Sequence, residues 1–203
     1  MNTFLGATQF LPAEALNEEA IGGAQILYLE GYLWDPEEPR KAMRAAIRSA
    51  RDAGRKVAFT LSDAFVIERY GDDFRKLIDE GMIDILFANE VELGALTGEN
   101  DFNAGIDALK DKVPTLVVTR SEKGAVCVTD GELHQVAAEP VEKVVDTTGA
   151  GDLFAAGFLF GHVRGEEPGR CLKRGAIAAA EIISHYGARP ESDLAKLMTE
   201  KLD

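Results

Sequence analysis

Short apolar runs separated by longer, helix-patterned stretches organise the first part of the chain. Gln25–Glu30 (Gln-Ile-Leu-Tyr-Leu-Glu), Lys56–Leu61, Ile83–Ala88 and Thr115–Thr119 are bounded by glycines or polar turn residues, which suits buried strands. Between the first two, Asp35 is the expected N-cap of a helix with Pro36 at its first position. That helix runs to about Ala53 with Ala42, Ala46, Ile47 and Ala50 on one face, and Gly54 ends it. Further helical segments are expected around 64–70, 72–80, 90–97 and 102–112, a short acidic one near Glu14–Ala20, and the tail of a strand at residues 2–7. Strands alternating with helices in this way predict crossover connections and a mostly parallel sheet.

After Thr119 the rhythm changes. Ala125–Thr129 and Glu132–Ala138 flank Asp130-Gly131, a hairpin signal. Beyond it the pattern is helical, about 151–163, 168–186 and 191–202, broken at Gly165–Pro168 and Gly187–Pro190. No internal repeat or low-complexity linker interrupts residues 1–203, so a single α/β domain is the economical organisation.

Composition narrows the function classes. The formal net charge of −13 argues against a nucleic-acid partner, because phosphate backbones attract basic surfaces. No apolar run approaches the roughly 18 residues that span a bilayer, and Met1–Phe4 does not open a signal peptide. A cytoplasmic protein is expected. Cys127 and Cys171 lack metal-type spacing and read as buried free thiols. His134, His162 and His185 show no mutual spacing suited to a metal or a triad, and Trp34 reads as a packed aromatic rather than a substrate platform.

The stretch that speaks about chemistry is Asp146-Thr147-Thr148-Gly149-Ala150-Gly151-Asp152, running into Leu153–Leu159. A glycine loop feeding a helix directs unpaired N–H groups and the positive end of the dipole at one spot, which binds anions. A carboxylate there would repel a resident phosphate, yet it suits a base that takes a proton from an attacking hydroxyl. The local alternative is a turn followed by an acidic first-turn residue. Walker A is excluded because Gly151 is followed by Asp and Leu, and a dinucleotide fingerprint is excluded by Phe154. That second failure also disfavours a nicotinamide-dependent oxidoreductase.

The run Asp146–Leu159 closely resembles the C-terminal signature of the PfkB (ribokinase-like) sugar and nucleoside kinases. The resemblance implies a ribokinase-like α/β fold in which Gly149, Ala150 and Gly151 form the anion hole and Asp152 is the catalytic base. Asn89 and Glu92 resemble the family's Asn-x-x-Glu motif, which organises Mg²⁺ and phosphate through water, although their spacing also fits a capping box. Thr119 and Gly124 resemble the nucleotide-pocket segment, with Gly124 equally suited to a turn of positive φ. Thr148, and Ala179 in a run of small residues with Ala176, Ala178 and Ala180, are expected beside the nucleotide. Tight packing explains those alanines as well, and Ala176 stands where some relatives present Asn to adenine. Asp146 corresponds to a monovalent-cation position, implying K⁺ with carbonyls near Gly187–Ala188, or else is a turn residue bonding its own backbone.

The resemblance covers only part of a family member. The strand bearing a substrate-binding Asp, the Gly-Gly segment and the β lid that open the family are not recognisable; Gly22-Gly23 precedes a different strand and is rejected. The chain is therefore expected to begin after the lid, with an exposed sheet edge and impaired transfer. The expected activity is ATP-dependent phosphorylation of a sugar or an adenosine-like nucleoside, with ATP and Mg²⁺ as cofactors and a homodimer as the assembly to test. The alternative is a non-catalytic nucleotide-binding or interaction fragment on the same fold.

Overall fold

The computed structural model describes residues 4–202. They form a six-stranded, mainly parallel sheet, in the order β1 (Ile26–Glu30), β2 (Lys56–Thr60), β3 (Ile85–Asn89), β4 (Thr115–Thr119), β5 (Ala125–Thr129) and β6 (Glu132–Val136), flanked by helices. Two compact units divide the chain, one running to Leu116 and the other beginning at Val117.

In the first unit β1 pairs with β2, and β2 with β3, in parallel register. Helix α1 (Glu18–Gly23), α2 (Glu37–Asp52), α3 (Ala64–Asp79), α4 (Glu90–Thr97) and α5 (Phe102–Leu109) connect and cover them. The α2 face named from the sequence (Ala42, Ala46, Ile47 and Ala50) is buried, and Gly54 (φ 67°) closes the helix. Trp34 is 0% exposed, edge-on to Phe59 and Phe74 at centroid distances of 5.8 and 5.6 Å. Its Nε1 donates to Asp73 Oδ2 at 2.9 Å, so the indole is a core element with its one polar atom satisfied.

Several boundaries differ from the sequence reading. Residues 2 and 3 lie outside the described residues, and the expected strand tail is replaced by a 3₁₀ turn over Gly6–Phe10 that starts at Gly6 (φ 58°). The acidic segment resolves into a turn at Ala13–Ala15 and α1, which Asn17 caps by accepting from Ala20 N. Pro36, not Asp35, is the N-cap of α2. Asp35 is drawn instead to α3, accepting from Arg69 Nη1 at 2.7 Å and, through its carbonyl, from the Tyr70 hydroxyl at 3.2 Å. The two segments expected around Gly71 are one helix. A Cβ at Gly71 would crowd the Arg75 guanidinium at 3.2 Å, and that group donates to Leu96 O at 2.6 Å. The propensity cost of a mid-helix glycine, about 1 kcal/mol, is outweighed by continuous burial of Val66, Ile67, Phe74, Leu77 and Ile78.

In the second unit β5 and β6 pair antiparallel across Asp130 (φ 51°) and Gly131 (φ 77°), the left-handed pair that a tight hairpin turn requires. Helix α7 (Pro168–Ile182) packs on both strands, on α6 (Ala150–His162) and on α8 (Leu194–Leu202). The α6–α7 approach is backbone to backbone: a Cβ on Gly157 would lie 2.7 Å from Arg174 O, and one on Gly175 would lie 2.8 Å from Phe154 O. Close helix packing therefore accounts for Gly157 and Gly175. Cys127 and Cys171 are buried free thiols, pushed up to about 12 and about 11 by desolvation.

Gly157→Ala should destabilise the protein by about 2 kcal/mol or more, as overpacking does. Gly169→Ala, whose Cβ would meet nothing within 4 Å, should be neutral or gain up to about 1 kcal/mol. Urea unfolding midpoints of the two variants check the contrast; equal midpoints would contradict the packing account.

Candidate functional site

The loop before α6 is built from its own polar residues. Asp146 Oδ1 accepts from the amide and hydroxyl of Thr148, at 3.0 and 2.7 Å, and Oδ2 accepts from Gly187 N at 3.2 Å. These donors, Thr148 foremost, hold its carboxyl below the usual range. Asp146 thus forms the local turn that its sequence position allows, and it also draws in the 187–188 segment. Gly149 is the N-cap of α6 with φ 82°, ψ 2°, a left-handed conformation costly for any residue with a Cβ. Room is scarce as well, since a Cβ there would lie 3.1 Å from that of Ala188.

The helical ladder starts at Leu153, whose amide donates to Gly149 O at 2.9 Å, while Ala150 N closes a turn on Thr147 O at 3.2 Å. The amides of Gly151 and Asp152 come ahead of the ladder, where helix geometry provides no intrahelical acceptor. Among the three residues assigned to the anion hole, Ala150 therefore already spends its N–H inside the protein. Gly151 and Asp152 are exposed, and nothing lies within 4 Å of where a Gly151 Cβ would sit. An open pair of donors at a helix start, next to an accessible carboxylate, can hold an anion and accept a proton beside it.

Thr119 ends β4, and the 3₁₀ turn Ser121–Lys123 leads to Gly124. Gly124 has φ 90°, and a Cβ there would fall 1.9 Å from Val136 O, so glycine is obligatory for the approach of β6. The turn explanation is thereby satisfied. Ala179 is half-buried on α7 and Ala176 is buried at 7%. Thr119, Gly124, Thr148, Ala179 and the Gly149–Asp152 loop all belong to the second unit.

Asn89 and Glu92 belong to the first unit, at the β3–α4 junction. They form the full capping box: Glu92 N donates to Asn89 Oδ1 at 2.8 Å, and Asn89 N donates to Glu92 Oε2 at 2.9 Å. A third bond runs from Asn89 Nδ2 to Glu92 Oε1 at 2.7 Å. Glu92 is 6% exposed, and desolvation pushes its carboxyl up to about 7, with Asp63 adding repulsion against the Asn89 amide bond. Glu181 is absent from the sequence-derived site, and Ala188, expected there only through a backbone carbonyl, stands with its side chain where a Gly149 Cβ would meet it. Their partners are distant in sequence, and no local pattern marks them.

Comparison with known proteins places the fold in a family. The six-stranded architecture is that of ribokinase-like kinases, shared with solved structures of that class. The pfkB family carbohydrate kinase profile matches residues 1–194, and the chain belongs to that family. The crystal structure of adenosine kinase from Sinorhizobium meliloti is 42% identical with a TM-score of 0.96, over 99% of this chain and 62% of that one. Arabidopsis thaliana ribokinase, solved with ribose and ATP, is 28% identical with a TM-score of 0.72, over 89% of this chain and 58% of that one. The cytidine kinase of Thermococcus kodakarensis is 34% identical over 157 residues, 75% of this chain and 53% of that protein. The chain thus spans little more than half the length of these relatives. No helix among the described residues is long and apolar enough to cross a membrane.

The Glu92 environment sets a pH dependence. Its folded pKa is raised from 4.5 to about 7, so its contribution to stability is full below about 4.5 and lost as pH rises through about 7. Glu92→Gln escapes that loss. In metal-free buffer its stability relative to the parent should improve by about 2–3 kcal/mol between pH 4.5 and 8. Urea midpoints across that range measure it, and a pH-independent difference would contradict the buried-carboxyl assignment.

Proposed function

We propose that this chain carries the nucleotide-side machinery of an ATP-dependent kinase that phosphorylates a hydroxyl of a nucleoside or sugar. The observation that carries the reading is the start of α6. Gly149 is held left-handed, the Gly151 and Asp152 amides precede the helical ladder, and the Asp152 carboxylate is exposed beside them. This donor set fits a terminal phosphate. The similarity to adenosine and cytidine kinases, alongside ribokinase, favours a nucleoside-like acceptor.

In this reading Asp152 takes the proton of the acceptor hydroxyl as its oxygen attacks phosphorus. The α6 N-terminus, at Gly149–Gly151, holds charge developing on the transferring group. The turn at Ala150 fixes the direction of the first helical turn. Thr119, Gly124, Thr148 and Ala179 would line the nucleotide. Asn89 and Glu92 would hold Mg²⁺ through water; each Glu92 oxygen keeps a second lone pair beyond its bond to Asn89. Mg²⁺, when bound, supplies neutralisation of phosphate charge. Asp146 is the residue at which K⁺ would act. The acceptor must also be positioned, a contribution of about 7–11 kcal/mol to such reactions, and that demand falls on residues not assigned in this chain.

Phosphorylation of a nucleoside and sugar panel, with MgATP affinity by calorimetry, tests the proposal on the chain and on an N-terminally extended form. Asp152→Asn should lower turnover by at least about 10²-fold with ATP affinity within threefold of the parent. Unchanged turnover would remove Asp152 as the base. ATP binding without transfer in both forms would favour a nucleotide-binding scaffold.

A further inference from the structure

Glu181 lies in the last turn of α7 and is 8% exposed. A carboxylate so placed needs donors, and it takes them from outside its helix. Oε1 accepts from the amides of Glu191 and Ser192 at 2.9 and 2.8 Å. Oε2 lies 3.4 Å from His185 Nε2 as an ion pair, and neither atom has a hydrogen-bond partner among the described residues. Burial raises the Glu181 carboxyl, but the Ser192 and Glu191 amides and His185 outweigh it, so the group is held ionised. Because those amides turn back to Glu181, α8 starts only at Leu194, with Lys196 N bonded to Asp193 Oδ1.

The same segment is anchored at its other end. Gly187, with φ 95°, donates to Asp146 Oδ2 at 3.2 Å, and Ala188 is the residue that a Cβ on Gly149 would meet, at 3.1 Å. Residues 187–192 are thus a short strap tied by one carboxylate from the 146–149 loop and by another from α7. Between the ties, Ala188, itself exposed, stands beside the left-handed N-cap of α6, where a side chain on Gly149 would meet it. Among the described residues, no hydrogen bond or ion pair of Glu181 reaches a residue assigned to the reaction.

We infer that Glu181 is a positioning residue for the anion-binding loop. By fixing the 191–192 end of the strap it keeps Ala188 against Gly149, and so keeps the Gly151 and Asp152 amides and the Asp152 carboxylate in one orientation. The inference deepens the kinase reading and, for its catalytic meaning, rests on it. A purely structural role would make Glu181 a brace for α8, whose loss loosens residues 191–202 and leaves the loop rigid.

Backbone ¹⁵N order parameters of the labelled chain separate the two. In the parent, residues 149–152 should show the rigid value of about 0.85, and Glu181→Ala should drop them towards the flexible range below about 0.6. Phe154–Phe158 and the hairpin should stay unchanged. Glu181→Gln, which retains an acceptor for both amides, should restore most of the order. Ala188→Gly removes one methyl group at the opposite end of the route and should loosen 149–152 in the same direction, even if Glu181→Ala folds poorly. Rigid 149–152 in Glu181→Ala or Ala188→Gly, with or without loosening of 191–202, would overturn the inference. MgATP affinity should fall about tenfold in Glu181→Ala. Absence of MgATP binding by the parent would instead defeat the kinase reading, while the order parameters still decide the strap.

Discussion

The left-handed Gly149 is the constraint on which the site depends. At φ 82° it turns the chain from the Asp146–Thr148 loop directly into α6. With a different conformation there, the bond from Leu153 N to Gly149 O could not open the ladder, and the amides and carboxylate of the first turn would point elsewhere. Two neighbours enforce the geometry. Asp146 organises the preceding turn through Thr148, and Ala188 fills the space a side chain would need. A glycine in this position costs backbone entropy. The surrounding bonds hold that conformation and leave the Gly151 and Asp152 amides ahead of the helical ladder.

The helix that follows is held by its packing on α7. Gly157 and Gly175 bring the two backbones together, and a bidentate pair from Arg174 to Glu166, 2.6 Å on each oxygen, closes the helical hairpin. Beyond α7, Glu139 binds Lys173 of that helix and Lys201 of α8, tying the chain's last helix to the same body. In the first unit Trp34, Phe59 and Phe74 pack edge-on to one another, joining the turn after β1 to β2 and α3. Burial of each such side chain is worth about 1.5–3 kcal/mol.

Much of this was legible in the sequence because it is local. The strand–helix alternation, the Asp130-Gly131 hairpin, the α2 core face and the Asn89–Glu92 pair announce themselves within a few residues. Their elements fall where the pattern puts them. The motif at 146–159 likewise marks the pfkB family within fourteen residues. What sequence could not supply depends on partners far along the chain. Gly71 looks like a break until Arg75 and Leu96 explain it. Asp35 looks like a cap until Arg69 takes its carboxylate, and Gly124 must be glycine because of Val136 O, twelve positions away. Glu181 is the clearest case. In sequence it is one acid at the end of an alanine-rich helix, and only the fold brings the Glu191 and Ser192 amides to it.

The central claim is that the start of α6 holds the terminal phosphate of a nucleotide beside the Asp152 carboxylate. A crystal structure of the chain with Mg²⁺ and a non-hydrolysable ATP analogue tests it most directly. The account predicts the terminal phosphate within hydrogen-bonding distance of the Gly151 and Asp152 amides, with Gly149 still left-handed and Asp152 facing the phosphorus. A terminal phosphate bound elsewhere on the protein, or Asp152 turned away from it, would contradict the account.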